Sequence, residues 1–299
     1  MIGAIVVLYN PDFNITSKAL ESLIHQVDKI CIVDNSLSDN SIQLKRFENI
    51  KYIPLRKNIG IAAAQNIGIN FFIKLNYDYV IFCDQDSILP SNLVLSLLNA
   101  YNKISNNFKI AAIGPMPINR KNGIPYLYSS NIIEKKIEDD FLYYDMHSII
   151  SSCSIVPISN FFEIGFMREE LFIDFVEQDW CWRAKYFFDM HIILIPNITI
   201  QHELGNYKKI FGLFKANISS SFRLYFQIRN LLWLSRMPYT PRYWKKMNKR
   251  KLISKLVYYS VFSSSRWEYI KSIFKGFKDG RNKNLNITYE YEYKCKKSN

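Results

Sequence analysis

The 299-residue sequence predicts an α/β fold, a doubly wound and mostly parallel sheet followed by a helical, basic and aromatic C-terminal extension. Three observations predict it. Continuous apolar, β-branched runs alternate with segments of helical periodicity over the first two thirds of the chain. Each early apolar run ends in a cluster of polar residues. The charge is also split. Residues 208–299 carry 22 Lys and Arg against 4 Asp and Glu, a net +18, whereas residues 1–207 come to −5. Such asymmetry separates two jobs, so residues 1–207 are expected to form one domain and 208–299 an amphipathic helical region.

Ile2–Leu8 is apolar throughout and reads as a strand covered on both faces. Tyr9-Asn10-Pro11-Asp12 breaks it, and Thr16–Gln26 places Leu20, Leu23 and Ile24 on one helical face. Lys29–Val33 is a second buried strand, stopped by Asp34-Asn35-Ser36. Ser41–Phe47 reads as a short helix, Ile50–Leu55 as a third strand and Ile61–Lys74 as a helix entered through Gly60. Tyr79–Cys83 is a strand ending at Asp84-Gln85-Asp86, followed by a helix over Leu93–Ile104 and a strand over Ile110–Gly114. Beyond the turn-rich Arg120–Asn131, strands are expected at Ile149–Pro157 and Ile192–Ile195, and a helix at Phe175–Phe187. A helix and turn are expected within Phe161–Phe172, and amphipathic basic helices over Phe211–Trp233 and Trp244–Phe277.

The five cysteines, Cys31, Cys83, Cys153, Cys181 and Cys295, show no CxxC spacing, which argues against a disulfide framework or a zinc site. The N-terminal apolar run lacks a basic lead and is too short for a secretory signal. No apolar run reaches the length that spans a bilayer, about 18 residues.

In a parallel sheet, ligands gather at the carboxyl ends of the strands. Tyr9-Asn10, Asp34-Asn35, Asn58 and Asp84–Asp86 all fall there in the predicted pattern. Asp84 and Asp86, two residues apart at a strand end, offer hard oxygen ligands to Mg²⁺ or Mn²⁺, which in turn grips a diphosphate. The small residues of Asn58-Ile59-Gly60-Ile61-Ala62-Ala63-Ala64-Gln65-Asn66 allow close approach of a ligand at a helix start. Asp174, Glu177 and Asp179 lie among bulky apolar neighbours, where desolvation favours a general base, and Asp174 and Glu177 are spaced to share a helix face. His202 can complete a metal site.

These segments, in this order, resemble the family-2 glycosyltransferases, and within them the bacterial rhamnosyltransferase group of O-antigen (lipopolysaccharide) and cell-surface polysaccharide biosynthesis. The resemblance rests on Ile5-Val6-Val7-Leu8-Tyr9-Asn10-Pro11, Val33–Ser36, Asn58–Gly68, Asp84-Gln85-Asp86-Ser87, Phe172–Ala184 and His202-Glu203-Leu204-Gly205, and covers about the first 205 residues. It implies a GT-A fold and inverting hexosyl transfer. It also implies that Asp34 contacts the nucleotide base, that Tyr9, Asn10, Asn58, Gly60, Asn66 and Gln85 line the nucleotide-sugar pocket, and that Asp84, Asp86 and His202 hold the metal of the DXD motif. The acid-rich helix supplies the base, Glu177 by position with Asp179 second. The implied donor is dTDP-L-rhamnose, with a UDP-hexose as alternative. The acceptor is a lipid-linked saccharide at the cytoplasmic face of the inner membrane, where the +18 tail makes the protein peripheral. A nucleotidyltransferase would need a Gly-rich basic loop where Tyr9–Phe13 stands. A non-catalytic membrane- or nucleic-acid-binding module is the other alternative, but no stacking module marks nucleic acid as a partner.

Overall fold

The computed structural model describes residues 1–138, 141–202, 207–210, 214–217, 219–261, 263 and 265–282. The chain divides into two compact units, one of Met1–Phe172 with Val176–Glu203, the other of Ile173–Phe175 with Leu204–Asn299. The separate allegiance of the tripeptide Ile173–Phe175 is not visible in the sequence pattern.

The first unit opens with β1 (Ile2–Leu8), α1 (Phe13–Ile24), β2 (Lys29–Asp34), α2 (Ser41–Leu44), β3 (Ile50–Pro54), α3 (Ile61–Lys74), β4 (Tyr79–Asp84), α4 (Leu93–Ile104) and β5 (Ile110–Asn119). It continues with β6 (Ile132–Glu138), β7 (Phe141–Met146), β8 (Ser154–Pro157), α5 (Ser159–Ile164), α6 (Val176–Phe188) and β9 (His191–His202). These strands form one 9-stranded sheet in the order β3-β2-β1-β4-β8-β5-β9-β7-β6. Among the described strands, only β8 and β7 run against the common direction. The β1–β4 half is wholly parallel and reads as apolar because it is covered on both faces: of β1, only Val7 is not fully buried.

Glycine sets how closely α3 lies on the sheet. A Cβ on Gly68 would come within 2.6 Å of the Ile5 side chain, and one on Gly3 would collide with the Phe72 ring. The two glycines therefore let helix and strand interlock at close range, with Ala62, Ala64, Ile69 and Phe72 fully buried between them.

Several elements differ from the sequence expectation, each for a local reason. β8 begins only at Ser154, because Ser151–Cys153 turns first and Cys153 adopts φ 61°. β9 does not stop at Pro196: Pro115 pairs with Ile195 and Met116 with Thr199, so Pro196–Ile198 form a bulge that tolerates the missing N–H. The β6–β7 hairpin was not anticipated, because Glu134, Lys135 and Lys136 give it no apolar run.

The second unit holds a hairpin, β10 (Tyr207–Ile210) with β11 (Phe214–Asn217), then α7 (Ser221–Arg236), α8 (Arg242–Val261) and α9 (Arg266–Asn282). The expected helix over Phe211–Trp233 thus starts ten residues later, at a Ser220 side chain that accepts from the Arg223 N–H at 3.2 Å. The expected helical stretch over Trp244–Phe277 falls in two helices, Arg242–Val261 and Arg266–Asn282. Leu224, Ile228, Tyr259 and Ile273 form the core of the unit. Gly276 and Gly280 bring α9 against α7, where added Cβ atoms would lie 3.0 Å from Ile228 and 2.7 Å from Leu232. Ile173–Phe175 is held here too. Arg223 grips the Asp174 carboxylate through Nε and Nη2 at 2.8–3.2 Å. The Asn230 carboxamide donates to the carbonyls of Ile173 and Asp174 at 2.9 and 3.3 Å, and the Phe175 ring meets Trp244 edge-on.

Candidate active site

Sheet register places the polar clusters side by side. Leu8 pairs with Asp34, Asp34 with Pro54, and Val7 with Asp84, so the carboxyl ends of β3, β2, β1 and β4 form one edge. The chain lays β2 and β3 on one side of β1 and then crosses to place β4 on the other. That reversal at β1/β4 is where open α/β sheets bind ligands, and Tyr9-Asn10 and Asp84-Gln85-Asp86 follow those two strands directly. Gln85 fastens the two loops together: its Oε1 accepts from the Tyr9 N–H at 2.9 Å and its Nε2 donates to the Tyr9 carbonyl at 3.4 Å. Tyr9 and Asp86 are exposed and Asp84 is half-buried. Asn10 takes φ 47° and donates its N–H to Ser36 Oγ at 2.8 Å.

Asp34 is only 1% exposed. Its carboxylate accepts from the Ser36 N–H at 2.8 Å, the Asn40 carboxamide at 2.7 Å and the Tyr52 hydroxyl at 2.8 Å. Burial is the leading cause that pushes the Tyr52 phenol up to about 12, so Tyr52 stays protonated and donates. Asp34 thus braces the loop after β2. Asn35, whose role no local pattern marks, ties that loop to the start of α3. It donates to the Gly60 carbonyl at 3.1 Å and accepts from the Ile59 N–H at 3.3 Å. Asn58 accepts from the Gly60 N–H at 3.0 Å. Asn40, Tyr52 and Ser36 were also missed. Their one sequence signal is a place within the turn after, or the strand beside, β2.

Gly60 is required twice over. Its φ of 88° favours glycine, and a Cβ there would sit 2.6 Å from the Phe172 carbonyl oxygen. That oxygen accepts from the Ile61 N–H at 2.7 Å, which brings the segment ahead of α6 to the first turn of α3. Asn66, expected in the pocket, is buried in α3. Its side chain bonds the Met167 N–H and carbonyl at 3.0 and 2.9 Å and Glu169 at 2.9 Å, fastening a segment 101 residues away.

The three acids around α6 have separate fates. Asp174 lies outside the helix at φ 65°, so it does not share a helix face with Glu177 as the spacing predicted. Asp179 is fully buried, 0% exposed, and its Oδ2 accepts from Arg183 Nε at 2.9 Å and Arg168 Nε at 3.2 Å. Arg183 in turn caps the carbonyls of Ile164 and Phe166 at 2.7 Å each. Glu177, in the first turn of α6, is half-buried. His202 ends β9, where its backbone pairs with Asn119, and its side chain lies outside the described residues. β9 runs parallel to β1–β4, so it ends at the same edge of the sheet. Among the described residues no three His, Cys, Asp or Glu side chains group tightly enough to hold a metal. Burial pushes the Cys31 and Cys181 thiols up to about 12, which removes them as nucleophiles near neutrality.

The chain is similar to known proteins. The chain is 31% identical over 293 residues, 93% of its length and 95% of the relative's, to the dTDP-rhamnosyl transferase RfbF of Shigella flexneri. It is 26% identical over 195 residues, 62% of its length and 61% of the relative's, to the low-salt glycan biosynthesis hexosyltransferase Agl10 of Haloferax volcanii. Among solved structures it superposes on Staphylococcus aureus TarS 1-349 in complex with UDP-GlcNAc. The TM-score is 0.55 at 12% identity, over 93% of this chain and 81% of that one. It also superposes on GalNAc-T7 with UDP, GalNAc and Mn²⁺, at TM-score 0.53 and 14% identity, over 84% of this chain but only 54% of that one. These likenesses give the fold, a GT-A-type mixed and mostly parallel sheet with a helical C-terminal part. Residues 4–163 match the family model described as glycosyl transferase family 2. With more than half of its length within that model and a 31% identical relative along nearly all of it, the chain belongs to glycosyl transferase family 2 and is a glycosyltransferase.

Proposed function

We propose that the protein is an inverting transferase that moves L-rhamnose from dTDP-L-rhamnose onto a lipid-linked saccharide in O-antigen or related cell-surface polysaccharide synthesis. The observation that carries this reading is the alignment of Tyr9-Asn10 and Asp84–Asp86 at the β1/β4 switch of the sheet, in a chain whose full-length relative is named a dTDP-rhamnosyl transferase. In this reading the dTDP moiety lies along the edge made by β3, β2 and β1. Tyr9, Asn10, Asn58 and Gly60 line it, and Asp34 and Asn66 hold the walls in shape.

Asp84 and Asp86 are hard oxygen donors at the place a diphosphate would occupy, and they fit Mg²⁺ or Mn²⁺, with His202 as the third ligand. Such an ion, when bound, offsets charge on the leaving diphosphate. Glu177 takes the proton of the acceptor hydroxyl as that oxygen attacks the anomeric carbon from the face opposite the leaving group. Asp179, occupied by two arginines, is the weaker candidate for this role. The enzyme works at the cytoplasmic face of the inner membrane, held there by its basic second unit. Among the described residues no helix is long and apolar enough to cross a membrane.

The test is donor hydrolysis by the purified protein with dTDP-L-rhamnose, UDP-glucose and UDP-GlcNAc, each with and without Mn²⁺ or Mg²⁺. Faster metal-dependent release of dTDP from dTDP-L-rhamnose is the expected result. Preference for a UDP-hexose would overturn the donor, and full activity in excess chelator would overturn the metal.

A further inference from the structure

The second unit buries one side of α8 and leaves an organised stripe on the other. Leu252, Leu256 and Tyr259 pack into the core with α7 and α9. On the opposite side Ile253, Val257 and Val261, each four residues on from the last, are 64%, 54% and 58% exposed. Single exposed apolar residues are ordinary, but three in register on one helix face are not scattered. The same face is basic one to two turns earlier, where Lys246, Lys249 and Arg250 are exposed. The whole of α8 holds seven Lys and Arg and no Asp or Glu. In the first turn of α9, Trp267 is 68% exposed. Along α9, Lys271, Phe274 and Lys278 follow it on one face, with Phe274 71% exposed.

We propose that this face is a docking surface for an anionic lipid bilayer. Ile253, Val257, Val261 and Trp267 enter the boundary between headgroups and acyl chains, and Lys246, Lys249 and Arg250 lie on the phosphates. Charge complementarity and the order of residues select this occupant. A basic stripe that continues along α8 into branched aliphatics, with an exposed tryptophan at the start of the next helix, matches an interface that is anionic outside and apolar just beneath. A nucleic acid would satisfy the cations but leave the aliphatic stripe in water. The inference rests on the membrane reading given above and deepens it by naming the face that makes contact.

The experiment is co-sedimentation of the full chain with vesicles of phosphatidylcholine, alone or with phosphatidylglycerol, at low and high salt. A duplex-DNA retardation assay runs beside it. One variant carries Ile253→Ser, Val257→Ser and Val261→Ser, a second Trp267→Ala, and a third Lys246→Gln, Lys249→Gln and Arg250→Gln. All change exposed positions, and donor hydrolysis is expected to be unaffected. Wild-type protein is expected to pellet with phosphatidylglycerol vesicles. Each lost cation should weaken partitioning by roughly fivefold at low salt, and the serine variant should lose at least about tenfold at either salt concentration. Wild-type protein that pellets with no vesicle overturns the membrane reading as a whole. Wild-type protein that pellets no better than the serine and glutamine variants leaves that reading standing and overturns this face. Tighter retention of DNA than of vesicles overturns the choice of partner.

Discussion

Replacing Asp179 with Asn and, separately, Glu177 with Gln should produce opposite signatures. The Asp179 carboxylate is fully buried and sits between Arg183 at 2.9 Å and Arg168 at 3.2 Å, whose side chains are 3% and 11% exposed. Removing the charge leaves two guanidinium groups desolvated against a neutral partner, a change that costs about 3–5 kcal/mol in buried pairs. Arg183 keeps its bonds to the carbonyls of Ile164 and Phe166, so the lower end, about 3 kcal/mol, is the expected value. For a unit of this size that lowers the melting temperature by roughly 6–12 °C. Glu177 is half-buried, and Gln preserves its shape, so the melt should hardly move. Losing the base should cut kcat by about 10²–10⁴-fold while KM for the donor stays near its original value. Thermal melts and steady-state kinetics on both variants decide the matter. If the Asn variant melts like wild type yet loses turnover while the Gln variant stays active, the roles are reversed and the account of α6 is wrong.

Three further outcomes are expected. Gly60→Ala should destabilise the first unit and raise donor KM, because it adds a clash with the Phe172 carbonyl to the backbone cost of φ 88° with ψ 161°, a region kept essentially for glycine, on the order of 1–3 kcal/mol. Gly123→Ala, at φ 68° with nothing within 4 Å, carries the backbone cost alone, so equal melts for the two would refute the clash. Asp84→Asn and Asp86→Asn should each raise the Mn²⁺ or Mg²⁺ concentration for half-maximal donor hydrolysis. Losing even a hydrogen-bonding partner of a ligand costs about 10–100-fold in metal affinity, and losing the ligand itself should cost at least that; an unchanged metal titration would remove the residue from the site. Cys31 and Cys181 keep their protons to about 12 in the folded chain, whereas unfolded thiols ionise near 8.5, so the unfolded state sheds protons first and stability should fall as pH rises above about 8.5. Mass spectrometry after iodoacetamide treatment at pH 8 should find both unlabelled until denaturant is added, and rapid labelling of the native protein would contradict their burial.

The strands that carry the site could be read directly from the sequence, because a parallel strand covered on both faces must be apolar, as β1 is throughout and β2 is from Ile30 to Val33. The α3 limits, Ile61 to Lys74, were legible because Gly60 marks the entry and Lys74 the last turn. The hairpin of β6 and β7 was not, since its alternation runs through Lys and Glu, and pairing rather than burial defines it. Site residues divide in the same way. That polar clusters end the strands is a local fact and was visible; what each side chain does is set by partners distant in sequence. Nothing near Asn66 in the sequence reveals its partner Met167, 101 positions on. Nothing near Asp34 reveals Tyr52, which reaches it from the neighbouring strand.

Asp179 differs, since the partner that holds it lies one helical turn away in the sequence. Glu177 and Asp179 both sit in the first turn of α6, where the helix dipole favours either. On a helix, however, each side chain meets the residue four positions ahead. For Asp179 that residue is Arg183, only 2% exposed. A buried arginine needs an anion, and the acid at i−4 is the one that can reach it without leaving the helix. The same spacing ties Asp179 into the core, so the carboxylate that the two arginines hold is the less available of the two acids for the base proposed above.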